Sequence, residues 1–317
     1  MNSRRLVILA AILFAAILIS ATRGVADIPL RELFLEANRQ ILYLRLLRIF
    51  LAILVGCGLS VSGVALQAML KNPLAEPYLI GTSSGAGLGA VIGIMLGVGG
   101  ACLPASAFAG ACASVLLVYA IARQGNKIPV QSLILAGVIV SIALSGITVF
   151  AVTMSPDGAM RGLMWWLWGS LEVYDLRLLS IVAILVASGV WTIFVFSQDL
   201  NAMSIGEEEA IHLGIKTETV KKILFLVISL VTASLVCVSG VIGFVGLIIP
   251  HATRFIVGPN HKVLIPASCI LASIFMIVCD LIARTAVPVM EIPIGIITAV
   301  IGAPLFIVLL RRKQRVS

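Results

Sequence analysis

From Pro77 to Ala122 the chain contains no Asp, Glu, Lys or Arg. A hydrocarbon core of ~30 Å is crossed by about 20 apolar residues in a helix. The stretch is therefore too long for one crossing and fits two, turning around Gly97-Val98-Gly99-Gly100 to Pro104. In lipid, backbone N–H and C=O groups must pair within a helix or a closed barrel. The run is continuously apolar rather than alternating, which selects helices over a barrel.

Composition extends that argument to the whole chain. Hydrophobic residues make up 61% and charged residues 11%, with a mean hydropathy of +1.16, whereas a soluble domain carries roughly 25% charge. Further apolar runs lie at Leu6–Ala21, Ile49–Leu70, Ile128–Pro156, Leu178–Gln198, Val263–Ala283 and Ile292–Leu310. Leu6–Ala21 follows Arg4 and Arg5 and precedes Gly24-Val25-Ala26, a signal-peptide pattern. We read it as a retained span because that keeps the topology consistent. Ile223–Thr253 is long for one span and short for two, with Gly240, Gly243, Gly246 and Pro250 inside it. A full helix followed by a short or broken one near residues 241–252 fits, and broken helices in membranes tend to line pathways. The expected fold is an all-α polytopic membrane protein of about ten transmembrane helices, one domain over residues 1–317.

The net charge of +8 reads as topology rather than nucleic-acid binding, because the basic residues flank the apolar runs. With the N-terminus inside and ten spans, 14 of the 22 Lys and Arg fall on the cytoplasmic side. Eight arginines stay outside, among them Arg45, Arg48 and Arg284. The six cysteines lie in or beside apolar runs without metal-site spacing and read as small packing residues. No cofactor or metal is expected.

Several motifs remain. Gly85, Gly89, Gly93 and Gly97 recur every four residues and suit close helix packing. Gly81-Thr82-Ser83-Ser84-Gly85 matches the G-x-S-x-G pattern of hydrolases but lacks its strand–turn–helix context, so a flexible turn is the better reading. Asn72-Pro73-Leu74-Ala75-Glu76-Pro77 breaks the helix and is either a connector or a constriction at the mouth of a pathway. Asp280 and Arg284, four apart, share one helical face. They neutralise one another, or else Arg284 joins Arg45 and Arg48 in a cationic docking surface. Trp165, Trp166 and Trp168 suit an interfacial aromatic belt. The polar segment 199–222, with Gly206 and Gly214 as breaks, reads as a loop of two short helices or as a surface driven by a cytoplasmic motor. No Walker-type phosphate loop and no buried charged relay occur. The chain is thus expected not to be an enzyme, with ATP hydrolysed by a separate subunit; an ion-gradient-driven secondary transporter is the alternative.

Taken in order, Arg45-Leu46-Leu47-Arg48, Gly63-Val64-Ala65-Leu66-Gln67, Asn72 to Pro77, Gly81 to Ala86, Gly206 to Gly214, Gly243 to His251, Asp280 to Arg284 and Gly302-Ala303-Pro304 make the chain resemble the permease family of binding-protein-dependent ABC importers for iron–siderophores, haem and cobalamin. The resemblance covers Arg45 to Leu310. It implies a multi-pass inner-membrane permease with both termini cytoplasmic. The partners implied are a second permease copy or close relative, two cytoplasmic ATPase subunits and an external binding protein. Alternating access would move a bulky metal chelate, with iron–siderophore the leading cargo and haem or cobalamin the others. By position, Arg45, Arg48 and Arg284 resemble the arginines that meet the binding protein. Asn72, Leu74, Gly81, Ser83 and Ser84 resemble the gate and pathway. Gly206, Glu207, Glu208, Ala210, Leu213 and Gly214 resemble the ATPase-coupling segment. The chain has Leu47 where the family often has a proline, so the helix is free to extend outward.

Overall fold

The computed structural model describes residues 2–24, 28–29, 31–32, 35–98, 102–125, 127–154, 166–173, 175–287 and 290–314. Arg161, Trp165, Arg315, Val25 and Ala26 of the considered cleavage site, and Gly99 and Gly100 of the expected turn lie outside the described residues. Twelve α-helices are described: α1 (Asn2–Thr22), α2 (Arg39–Met69), α3 (Thr82–Met95), α4 (Cys102–Ala122), α5 (Val130–Thr153), α6 (Leu176–Val195), α7 (Ser197–Ile205), α8 (Glu207–His212), α9 (Thr217–Ser239), α10 (Val245–Val257), α11 (His261–Thr285) and α12 (Ile294–Gln314). No strand occurs among the described residues.

Seven helices (α1, α2, α4, α5, α6, α9 and α11) are long and apolar enough to cross a membrane, and α3, α10 and α12 are shorter apolar helices. Together they account for the expected ten. Boundaries differ where polar residues continue a helix. α9 begins at Thr217 rather than Ile223, because Glu218 and Lys221 lie three apart and pair along one face at 3.0 Å. Pro104 sits in the first turn of α4, where its missing N–H costs no hydrogen bond, not in the turn before it. α2 starts ten residues before Ile49 and runs straight through Leu47, carrying Arg39, Arg45 and Arg48 on the helix.

α2 is the most buried of the long helices and packs against α9, α10, α11 and α6. Where it needs closest approach it has glycine. A Cβ on Gly63 would collide with the Gly246 carbonyl of α10, and one on Gly56 would lie 2.7 Å from the Ala272 carbonyl of α11. The small-residue stripe does the same for α3. Gly85, Gly89 and Gly93 lie against Ser106, Gly110 and Ser114 of α4, whereas Gly97 has nothing near it. Several hydroxyls inside the apolar medium bond back to their own helix, as Thr232 does to the Ile228 carbonyl and Ser229 to Phe225, both at 2.7 Å. That satisfies polar groups without drawing in water.

Candidate functional site

Two short helices start inside the protein. A Cβ on Gly246 would lie 2.8 Å from the Leu59 carbonyl, and Leu59 is ten residues from the α2 end at Met69, about 15 Å along the axis. Gly81, the left-handed residue before α3 (φ 85°), faces Ser114 of α4, whose hydroxyl donates to its carbonyl at 2.8 Å. Ser114 is eight residues from the α4 end at Ala122, about 12 Å. Both N-termini therefore lie at comparable depth, well inside a ~30 Å core. Each brings the positive end of a helix dipole to that level, with first-turn N–H groups that the helix itself does not pair.

The segment 70–81 ties the two starts together. Lys71 adopts φ 47°, turning the chain back from α2. The Asn72 side chain accepts the Leu74 N–H at 2.9 Å, which leaves Leu74 half exposed at the tip while Ala75 is buried. Glu76 accepts the Phe244 N–H at 2.8 Å, and the Tyr78 hydroxyl accepts the Ile242 N–H at 3.3 Å. Phe244, at φ 70°, makes the reversal into α10. Gln67 donates to the Leu247 carbonyl at 3.2 Å and accepts from Arg254 at 2.5 Å. Ser84 donates to Gly81 at 3.1 Å, and Ser83 and Ser84 are partly buried at the start of α3. The sequence pointed to Asn72, Leu74, Gly81, Ser83 and Ser84 here. Gln67, Glu76 and Phe244 stood there only inside motifs, without a role of their own, and Tyr78 and Arg254 were not singled out, although Glu76 is the one acid at the edge of the charge-free run.

At one end of the bundle, Asp280 lies between two arginines. Arg48 Nε donates to Oδ1 at 2.6 Å, and Arg284 Nε lies 2.9 Å from Oδ2. The second contact has ion-pair distance without hydrogen-bond alignment. Asp280 is 1% exposed and Arg284 6%. Arg48, the most open of the arginines at 15%, also reaches Glu291, 37% exposed, at 2.8 Å. Arg45 donates to the Ala21 carbonyl at 2.8 Å and Arg284 to the Ser20 hydroxyl at 2.8 Å, so two cations sit on the C-terminal end of α1, where helix dipoles favour them. Of the two readings of Arg284, the side chain makes the pair with Asp280. Nearby, a cavity of about 810 Å³ opens among α4, α6, α9 and α12, with Arg48, Trp166, Glu172, Asp175 and Glu291 in its wall. Trp168 is exposed at the same end.

At the opposite end, α7 and α8 form the connector. Gly206 separates them, Ala210 is buried, and Gly214 (φ 83°) ends the turn after α8. Glu208 is exposed, as are Ile205, Ile211 and Leu213, an apolar set outside any span. Glu207 turns inward, its carboxylate accepting from Lys221 of α9 at 2.5 Å. Arg5 of α1 reaches the Ile256 carbonyl of α10 at this end.

No cluster of three or more metal-ligating side chains occurs among the described residues. The arrangement is two half-helices meeting at depth, a cavity at one end and an exposed apolar patch at the other.

Comparison with known proteins agrees. The FecCD transport family matches residues 7–312. The chain is 40% identical over 272 residues to the cobalamin import system permease protein BtuC of Halobacterium salinarum, covering 86% of this chain and 73% of that one. It is 36% identical to the vitamin B12 import system permease protein BtuC of Klebsiella pneumoniae, covering 96% and 92%. A structure described as an inward-facing conformation of a metal-chelate type ABC transporter superposes with a TM-score of 0.91 at 31% identity, over 98% of this chain and 99% of that one. On these grounds the chain belongs to the FecCD transport family, the permease subunits of ABC importers.

Proposed function

We propose that the chain is one of two permease subunits, identical or closely related, that import a corrinoid such as cobalamin through the cytoplasmic membrane by alternating access. The observation that carries this reading is the superposition, nearly end to end, on a metal-chelate type ABC transporter. Relatives named for cobalamin and vitamin B12 import favour a corrinoid over the iron–siderophore expected from the resemblance alone. ATP is hydrolysed by two separate cytoplasmic subunits. They dock on the α7–α8 connector, where Ile205, Ile211 and Leu213 offer an exposed apolar face. Both termini lie in the cytoplasm, the side that takes most of the basic residues.

An external binding protein docks at the Asp280 end. Within the cluster itself three arginines (Arg45, Arg48 and Arg284) meet two carboxylates (Asp280 and Glu291), an excess of one positive charge, while Glu172 and Asp175 line the adjoining cavity. Arg48 is the most open of the three arginines at 15%, with its partner Glu291 more open at 37%, so an acidic group of the binding protein would reach Arg48 in competition with Glu291. Substrate enters through the 810 Å³ vestibule and passes the half-helix starts at Glu76 and Phe244. Closure of the ATPases shifts the connector and opens the constriction around Asn72 and Leu74, with Gly81, Ser83 and Ser84 lining the passage above it.

The test is ATP hydrolysis and cyanocobalamin uptake in liposomes holding the chain, its ATPase subunits and the binding protein. Uptake that needs all three components, with turnover raised by loaded binding protein, supports the reading. Uptake of a ferric siderophore but not cyanocobalamin would correct the cargo, and uptake driven by an ion gradient without ATPase would remove the mechanism. In the same system, Arg48→Gln should weaken binding-protein affinity by roughly 10-fold, the equivalent of about 1.4 kcal/mol, while Arg284 still neutralises Asp280.

A further inference from the structure

Lys221 is the only lysine among the buried polar side chains of the described residues, with its side chain 6% exposed. It joins three segments. Its ammonium lies 2.5 Å from Glu207, the first residue of α8, and 3.0 Å from Glu218 on its own helix α9. Thr217 Oγ1 also donates to Glu207, at 3.4 Å. The second oxygen of Glu218 accepts the backbone N–H of Ile128 at 3.0 Å, two residues before α5 begins. The aliphatic stem closes a small void of about 10 Å³ together with Met69 and Leu70 from the α2 end and Ile128, Val130 and Leu133 from the α5 start. A line of charge-assisted bonds thus runs from α8 through α9 to the N-terminus of α5. α8 itself packs on α7 and α9.

We propose that Lys221 is a positioning residue that carries displacement of the connector to α5. The proposal rests on the importer reading. Its physical basis is the cost of leaving a buried cation short of partners. If α8 moves, Glu207 moves with it. An ammonium in this setting follows its carboxylate rather than remain half-paired, and α9 and Glu218 follow the ammonium. Glu218 in turn holds the first free N–H before α5, so the inner end of that helix is pulled along. The bland alternative, local neutralisation of a lysine, requires neither the Ile128 bond nor a partner on a separate short helix.

The experiment uses the full permease–ATPase complex in lipid, with the six cysteines, all unpaired, replaced by alanine. Nitroxide labels are placed at the exposed positions Gln131 in α5, Glu208 in α8 and Lys262 in α11, each as a cysteine. Dipolar distances 208–262 and 131–262 are read with and without ATP plus vanadate. The unaltered network should show both distances shifting. Lys221→Met should keep the 208–262 shift and reduce the 131–262 shift by at least half, with Lys221→Arg restoring it. Glu218→Gln, which keeps the Glu207 pair but weakens the α5 limb, should act like Lys221→Met and decides the matter should that variant not fold. A full 131–262 shift in either neutral variant overturns the relay. Failure of the unaltered chain to bind the ATPase, or to shift at either position, removes the importer reading and the relay with it.

Discussion

The two ends of the bundle each hold a charged cluster, and the clusters are built in opposite senses. At one end a single carboxylate, Asp280, sits between two arginines, both on long helices, at 1% exposure. At the other a single ammonium, Lys221, sits between two carboxylates that are 39% and 28% exposed, one of them on a six-residue helix. The first joins α2 and α11 and, through Ser20 and Ala21, holds the end of α1. Asp280, Arg48 and Arg284 are all anchored in spans, with only Glu291 on the segment before α12. The second joins elements of unequal stiffness, since α8 is short and mostly solvated. Deep burial on long helices makes a fixed joint. Partial exposure on a short helix makes a joint that can travel.

The contrast is broken most severely at Asp280. Asp280→Asn leaves Arg48 and Arg284 facing a neutral amide, and breaking a buried pair costs about 3–5 kcal/mol. A large drop in thermal unfolding midpoint in detergent is the expected result. Next in size is the seam between the two ends. Gly246→Ala would put a methyl 2.5 Å from Pro77 and 2.8 Å from the Leu59 carbonyl, and overpacking of that kind costs about 1–3 kcal/mol. Gly146→Ala, with nothing within 4 Å of the new Cβ inside α5, should instead stabilise by about 0.5–1 kcal/mol. Lys221→Met, whose acidic partners are open to water, should change unfolding by ~1 kcal/mol or less despite its effect on the distances above. The smallest effect sharpens the comparison further. Raising salt to 0.5 M should shrink the Lys221→Met difference while leaving the Asp280→Asn penalty nearly intact, because screening reaches exposed charges and not buried ones.

Local features of the chain were legible from its sequence, and distant pairings were not. The charge-free run announced α3 and α4, and the glycines after Ser239 announced the break before α10. Asp280 and Arg284 stand at helical spacing and read as a pair, whereas Glu218 and Lys221, also at helical spacing, fall inside the polar segment 199–222 and carry no such reading. The rest joins residues far apart along the chain: Arg48 meets Asp280 across 232 positions and Phe244 meets Glu76 across 168. No local periodicity encodes such a meeting. The start of α2 was only partly visible: Leu47 leaves the helix free to extend outward, but nothing local marks Arg39 as its beginning. Arg39, Arg45 and Arg48 mark the edge of an apolar run, yet the helix continues through them because it has partners beyond the hydrocarbon: Glu291 and Asp280 for Arg48, the α1 end for Arg45. The positive φ of Phe244 had no signal beyond the neighbouring glycines.

The length of α2 sets a relation between this protein and the bilayer around it. Its 31 residues span about 46 Å, against a hydrocarbon thickness of ~30 Å. Counted about 20 residues up from Met69, the hydrocarbon ends near Ile49, one residue below Arg48. The Asp280 cluster therefore stands at the boundary between acyl chains and headgroups. A thicker membrane would bring hydrocarbon over Arg48 and Glu291, and a thinner one would draw headgroups toward the vestibule. Acyl-chain length should then tune this permease, with an optimum where the lipid boundary and the arginine layer coincide.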